Sequence, residues 1–212
     1  MSQKRIFQHP LAKIPLVGIL LFLILFLHSS TLYPGGSQAD ANSVGYDWIN
    51  NYWCNLMNEI AMNGESNPAR PFAISGMIIL CGSLFLFFNQ FAAKMITSKP
   101  QKLIVKGCAL GSMVSAALMF TEFHDILTML SSLFGFVVIV AILRYLFLSD
   151  LKFYKITAIL ILALLAVNNY IYYTKQFIEV LPVLQKVSIG VVLFWIIGMN
   201  RVISLPKDVQ SR

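Results

Sequence analysis

The chain has 212 residues, of which 58% are hydrophobic and 12% charged, with a formal net charge of +7 and a mean hydropathy of +0.73. Soluble domains carry roughly a quarter charged residues, so this composition excludes a water-soluble fold and makes lipid the main solvent. The basic residues sit in short clusters between apolar runs rather than in one patch, which argues against a nucleic-acid partner and for membrane topology as their cause.

Lipid offers the backbone no hydrogen bonds, so only helices or a closed barrel can cross it. Barrel strands alternate apolar and polar residues, whereas this chain has continuous apolar runs of helical span length. Six are predicted, at 14–32, 71–91, 103–120, 126–148, 156–173 and 177–199. The expected fold is an all-α membrane protein: a six-transmembrane-helix bundle forming a single polytopic domain over residues 1–212.

Alternate sides of these spans differ sharply in charge. Lys4, Arg5, Lys13, Lys94, Lys99, Lys102, Lys106, Arg144, Lys152, Lys155, Arg201, Lys207 and Arg212 fall on one side, against Arg70, Lys175 and Lys186 on the other. The positive-inside rule then puts both termini in the cytoplasm. Asp40, Asp47, Glu59, Glu65, Glu122, Asp125 and Glu179 fall on the outer side. Lys4 and Arg5 before an apolar stretch, with Ala39-Asp40-Ala41 beyond it, raise a signal peptide as an alternative. That small-residue site lies too far past the run ending at Leu27, so an uncleaved first helix is expected.

The outer loop over 33–70 is the longest connection. Tyr33-Pro34-Gly35-Gly36 ends the first span as a turn. Trp48, Ile49, Tyr52, Trp53, Leu56, Met57 and Ile60 then recur at helical spacing, with Asp47, Asn50, Asn51, Asn55, Asn58 and Glu59 between them. That pattern predicts an amphipathic interfacial helix over 47–60, with its aromatic rings at headgroup depth. It acts either as a plain lid or as one wall of a polar pocket lined by Asn51, Asn55, Asn58 and Glu59. Asn67-Pro68 and Arg70-Pro71 are turn dipeptides leading into the second span.

The short Thr121-Glu122-Phe123-His124-Asp125 link makes an antiparallel hairpin of the third and fourth spans. Asp125 suits a helix cap there. The alternative pools His28, Glu59, Glu122, His124 and Asp125 as an outer-face site. Glu59, Glu122, His124 and Asp125 are the acid–base candidates, and His28, His124 and Asp125 the candidate ligands of a divalent metal. No HExxH-like spacing brings them together, so no cofactor is predicted outright. At least one of Asn168 and Asn169 needs a partner inside the bundle, and Lys186 pairs with Glu179 or another loop carboxylate or reaches the interface. Gly107, Gly111 and Ser115 form a small-residue ridge for close helix packing. The three cysteines, Cys54, Cys81 and Cys108, show no CxxC spacing and read as packing residues.

Together with the Tyr-Pro turn, the segments "NYWCNLMNEI", "NPARPF", "EFHDIL" and "LQKVSIGVVLFW" resemble, over about residues 15–200, a bacterial six-helix membrane family described only as domain of unknown function 998. Family members have a Ser-Asp-Leu-Gly-like segment where this chain reads Asn55-Leu56-Met57-Asn58-Glu59, and Glu-Arg where it reads Gln185-Lys186. The resemblance implies a bacterial inner-membrane location and the same topology, and it adds no reaction. The leading functional expectation is a non-catalytic membrane protein that binds a lipid or an envelope membrane-protein partner at its outer face. A metal-assisted intramembrane hydrolase or lipid-modifying enzyme is the alternative. A transporter using Asn168, Asn169 and Lys186 is a third.

Overall fold

The computed structural model describes residues 10–205, with side chains from residue 13 onward. Its six α-helices are α1 (Pro10–Leu32), α2 (Arg70–Met95), α3 (Lys99–Ala117), α4 (His124–Phe147), α5 (Lys152–Thr174) and α6 (Leu181–Ser204). Each predicted span falls on one of them. Five, all but α3, are long and apolar enough to cross a membrane, which marks a multi-pass membrane protein. Length does not set α3 apart, since 19 residues reach about 28 Å at the usual helical rise. Lys99, Lys102 and Lys106 near its start lower its hydropathy instead. Lys4, Arg5, Lys207 and Arg212 lie outside the described residues.

Proline helps fix where these helices begin. Pro71, Pro100 and Pro182 occupy the first turns of α2, α3 and α6, where a missing N–H costs nothing and a fixed φ favours the helix. Cross-links then set the direction of each neighbour. Ser29 Oγ near the end of α1 donates to Ala69 O just before α2 at 2.9 Å, and Ser112 Oγ of α3 donates to Ser131 O of α4 at 3.0 Å. Trp195 Nε1 late in α6 donates to Tyr154 O early in α5 at 3.1 Å. Consecutive helices are therefore antiparallel, and the end carrying residues 33–69 also carries the α3–α4 and α5–α6 turns. Lys94, Lys99, Lys102, Lys106, Arg144, Lys152, Lys155 and Arg201 gather at the opposite end.

The core runs along α1, α2 and α6, where Ile19, Phe22, Phe26, Phe87, Phe91, Ile196 and Met199 are sealed. The α1–α2 contact is close enough to require glycine. A Cβ on Gly18 would sit 1.6 Å from Ser83 Oγ. The small-residue ridge on α3 is used in part: Gly111 lies under the Phe134 ring of α4, while Gly107 faces open space.

Within the long connection over 33–69, one stretch departs from expectation. The helix predicted over 47–60 does not form. Turns cover residues 48–50 and a 3-10 turn covers Trp53–Met57. Asn and Asp side chains outcompete helical backbone bonding here, as these residue types commonly do. Asp47 Oδ1 accepts the amides of Ile49 and Asn50 at 2.9 and 3.1 Å, and Asn55 Oδ1 accepts the Tyr52 amide at 2.7 Å. The apolar stripe splits accordingly. Leu56 and Met57 turn inward and Trp53 packs on Phe22 and Phe26, while Trp48, Ile49 and Ile60 stay exposed.

Candidate functional site

The interior of the loop is a hydrogen-bonded plug. Gly36 N donates to Ser43 O at 2.7 Å and Asn63 N to Gly35 O at 3.1 Å, which threads residues 35–36 between two other segments. Asn67, buried, donates through Nδ2 to Asn58 O, Leu56 O and Asn55 O at 2.9, 3.2 and 3.3 Å, and its Oδ1 accepts the Ala69 amide. Asn51 Nδ2 donates to Gly36 O at 2.9 Å. Asn51 and Asn55, read from sequence as pocket residues, are thus buried and committed to holding the loop. Lys186 reaches up from α6 to donate to Asn51 O and to Pro182 O, with its Nζ 5.9 Å from the centre of the Tyr46 ring. Among the described residues no carboxylate forms an ion pair with it, so the carboxylate pairing, one of the two alternatives expected for Lys186, is not seen. Gln185 Oε1 accepts the Trp53 amide at 3.2 Å, so α6 fastens the 3-10 turn at its start.

Burial shapes the titration of this plug. The Cys54 thiol is pushed up to about 11 by desolvation, and Tyr33, Tyr46 and Tyr52 are raised by the same cause. The half-buried thiol is therefore held uncharged at neutral pH, and an uncharged thiol is a poor nucleophile. Asp47 is lowered, first by the Asn50 side chain, whose Nδ2 donates to its Oδ2 at 2.8 Å.

Beside the plug an open cleft of about 630 Å³ lies between the loop and the α3–α4 turn, lined by Asn58, Glu59, Ile60, Arg70 and residues 120–123. Arg70 Nη1 stands 3.6 Å from Glu59 Oε2. Glu122 enters from the opposite wall, with Phe120 and Phe123 flanking it. Two of the sequence-predicted carboxylates, Glu59 and Glu122, therefore share one cleft, and Asn58 joins them. Arg70, Phe120 and Phe123 were not singled out from sequence. Arg70's signal was its place as one of only three basic residues on an otherwise acidic side.

The remaining candidates are elsewhere. His124 Nδ1 lies 3.2 Å from Asp125 Oδ1, and that carboxylate also accepts from Tyr172 Oη, tying the start of α4 to the end of α5. Asp125 does not cap α4, whose cap position is Phe123; it lies in the first turn, where its charge complements the positive end of the helix dipole. His28 packs edge-on against Phe72, with ring centres 4.8 Å apart. Among the described residues no three His, Cys, Asp or Glu side chains converge as a metal would need. Asn168 Nδ2 donates to Ser188 Oγ at 2.7 Å and to Leu164 O at 2.8 Å, joining α5 to α6. Asn169 Nδ2 donates to Leu165 O within its own helix. The polar residues of this end thus form separate groups: the plug, the cleft, the α4–α5 tie and the α5–α6 tie. No protein-family model, curated protein or solved structure matches the chain.

Proposed function

We propose that this protein binds a membrane lipid in the cleft between the 33–69 loop and the α3–α4 turn, acting as a receptor or carrier rather than through chemistry of its own. In this reading α3 is a sixth span, held antiparallel between α2 and α4, and both termini are cytoplasmic. The gathering of basic residues at the end away from the loop supports that orientation. The cleft then opens at the extracytoplasmic face of a cell membrane.

The observation that carries the proposal is the cleft's mixed lining. Arg70, Glu59 and Glu122 offer charge, while Ile60, Phe120 and Phe123 offer apolar surface, in one open groove at the end of a membrane helix bundle. A wholly polar solute would leave the aromatic wall unmatched, and a purely apolar ligand would leave the charges unanswered. A lipid headgroup with its glycerol end answers both. The test is lipid analysis of the full chain extracted in native membrane discs. One headgroup class should be enriched over the bulk membrane, and a lipid profile identical to the bulk would sink the proposal.

A further inference from the structure

We infer that the cleft selects a zwitterionic phospholipid bearing a primary ammonium group, with Arg70 on its phosphodiester and Glu122 on its ammonium. The inference rests on the lipid-binding reading above and adds the headgroup. Among the described residues that line the cleft, Arg70 is the cation, against two carboxylates. Its guanidinium is loosely held, since 3.6 Å to Glu59 is beyond hydrogen-bond reach and the Glu59 side chain is 77% exposed. Its Nε is sealed from solvent, so the terminal Nη groups are the donors left open to a ligand. A guanidinium with open donors suits a phosphodiester, which accepts from two of them at once.

Glu122 supplies the other pole. Its side chain is exposed and forms no ion pair among the described residues. A primary ammonium can donate hydrogen bonds to it, whereas a quaternary ammonium has no N–H to give. An anionic headgroup would add negative charge to a lining that already holds two carboxylates against one guanidinium. Phe120, Phe123 and Ile60 then face the glycerol and the first acyl carbons, where their apolar surface is matched.

The experiment titrates the detergent-solubilised full chain with phosphatidylethanolamine, phosphatidylcholine and phosphatidylglycerol of identical acyl chains, read by native mass spectrometry. Phosphatidylethanolamine should bind about threefold or more tighter than either of the others, the scale of one exposed charge pair. Glu122→Gln should weaken phosphatidylethanolamine more than phosphatidylcholine and so narrow the gap between them, because the carboxylate attracts both ammonium groups but hydrogen-bonds only the primary one. Glu122 makes no side-chain bond among the described residues, so an unchanged melting temperature certifies that variant. Arg70→Lys should weaken all three lipids together. Equal binding of the three lipids, a preference for phosphatidylglycerol, or an inert Glu122→Gln would overturn the headgroup assignment while leaving lipid binding standing. Absence of any lipid binding would remove both. Acyl-free glycerophosphoethanolamine binding as tightly as the lipid would overturn the inference in favour of a soluble ligand.

Discussion

The 33–69 loop and the α3–α4 turn close the same end of the molecule by opposite means. The loop buries Asn51, Asn55 and Asn67 and uses their amides to pair its own backbone. The turn over 118–123 is short, a side-chain bond runs from Thr121 Oγ1 to Leu118 O within it, and it leaves Glu122 and Phe123 exposed. Polar residues of similar type thus have different work. In the loop they substitute for regular secondary structure, because a buried irregular backbone must find partners somewhere. In the turn they remain open to whatever enters the cleft. The cleft has one rigid wall and one chemically open wall, and the two should respond differently to substitution.

Gly36 should be the most sensitive position. Its φ is +80°, and a Cβ there would lie 2.3 Å from Asn63 N, a backbone atom that cannot swing away. Gly36→Ala therefore meets both left-handed strain and a clash, and should destabilise the fold by about 3 kcal/mol or more. A fall in the melting temperature of the detergent-solubilised protein checks this, and an unchanged melting temperature would mean the loop is not threaded as described. Asn67→Ala comes next. It strips the side-chain donor from the carbonyls of Asn58, Leu56 and Asn55 and the acceptor from the Ala69 amide. Leaving such groups unpaired should cost about 2–3 kcal/mol. If Asn67→Ala were as mild as a surface change, the contrast between the two walls would collapse.

Cys54 gives the loop a pH signature. Unfolded, the thiol ionises around its ordinary 9.0, and in the fold burial delays ionisation to about 11. The neutral thiol is the form the fold favours. Its contribution to stability is therefore fully present below pH 9 and is lost as pH rises towards 11. Tyr33, Tyr46 and Tyr52 are raised in the same sense and steepen the decline above pH 10. Melting curves of the wild type and Cys54→Ala between pH 8 and 11 separate the thiol's share. The difference between the two should shrink across that window, and a constant difference would show that the thiol is not desolvated.

Much of the helical frame was legible because lipid enforces simple rules. A run such as Ile126 to Leu148 has no polar alternative to a helix, and α4 lies over it as His124–Phe147. The loop was not legible for the converse reason. Trp48 through Ile60 carry helical apolar spacing, but the asparagines between them bond locally and across the loop, and periodicity is silent about which partner an amide will choose. Asp125 reads from sequence as the cap of α4, yet it lies inside the first turn, and its bond to Tyr172 joins residues 47 positions apart with no local sequence signal. The cleft was half visible. Glu59 and Glu122 belonged to the outer acidic set, but Arg70 between them becomes a cleft residue only when α2 starts beside the α3–α4 turn.

The smallest expected effect is also the one that most directly separates the two walls. Glu122→Ala removes an exposed carboxylate with no ion pair among the described residues and no role in the backbone of the turn. Surface changes away from caps, cores and buried networks stay within about 0.5 kcal/mol, so its melting temperature should match the wild type. Asn67→Ala, measured under the same conditions, should not. A loss of stability in Glu122→Ala comparable to that in Asn67→Ala would mean that the turn, like the loop, uses its polar side chains to hold itself together. The open wall on which the cleft's binding role depends would then be absent.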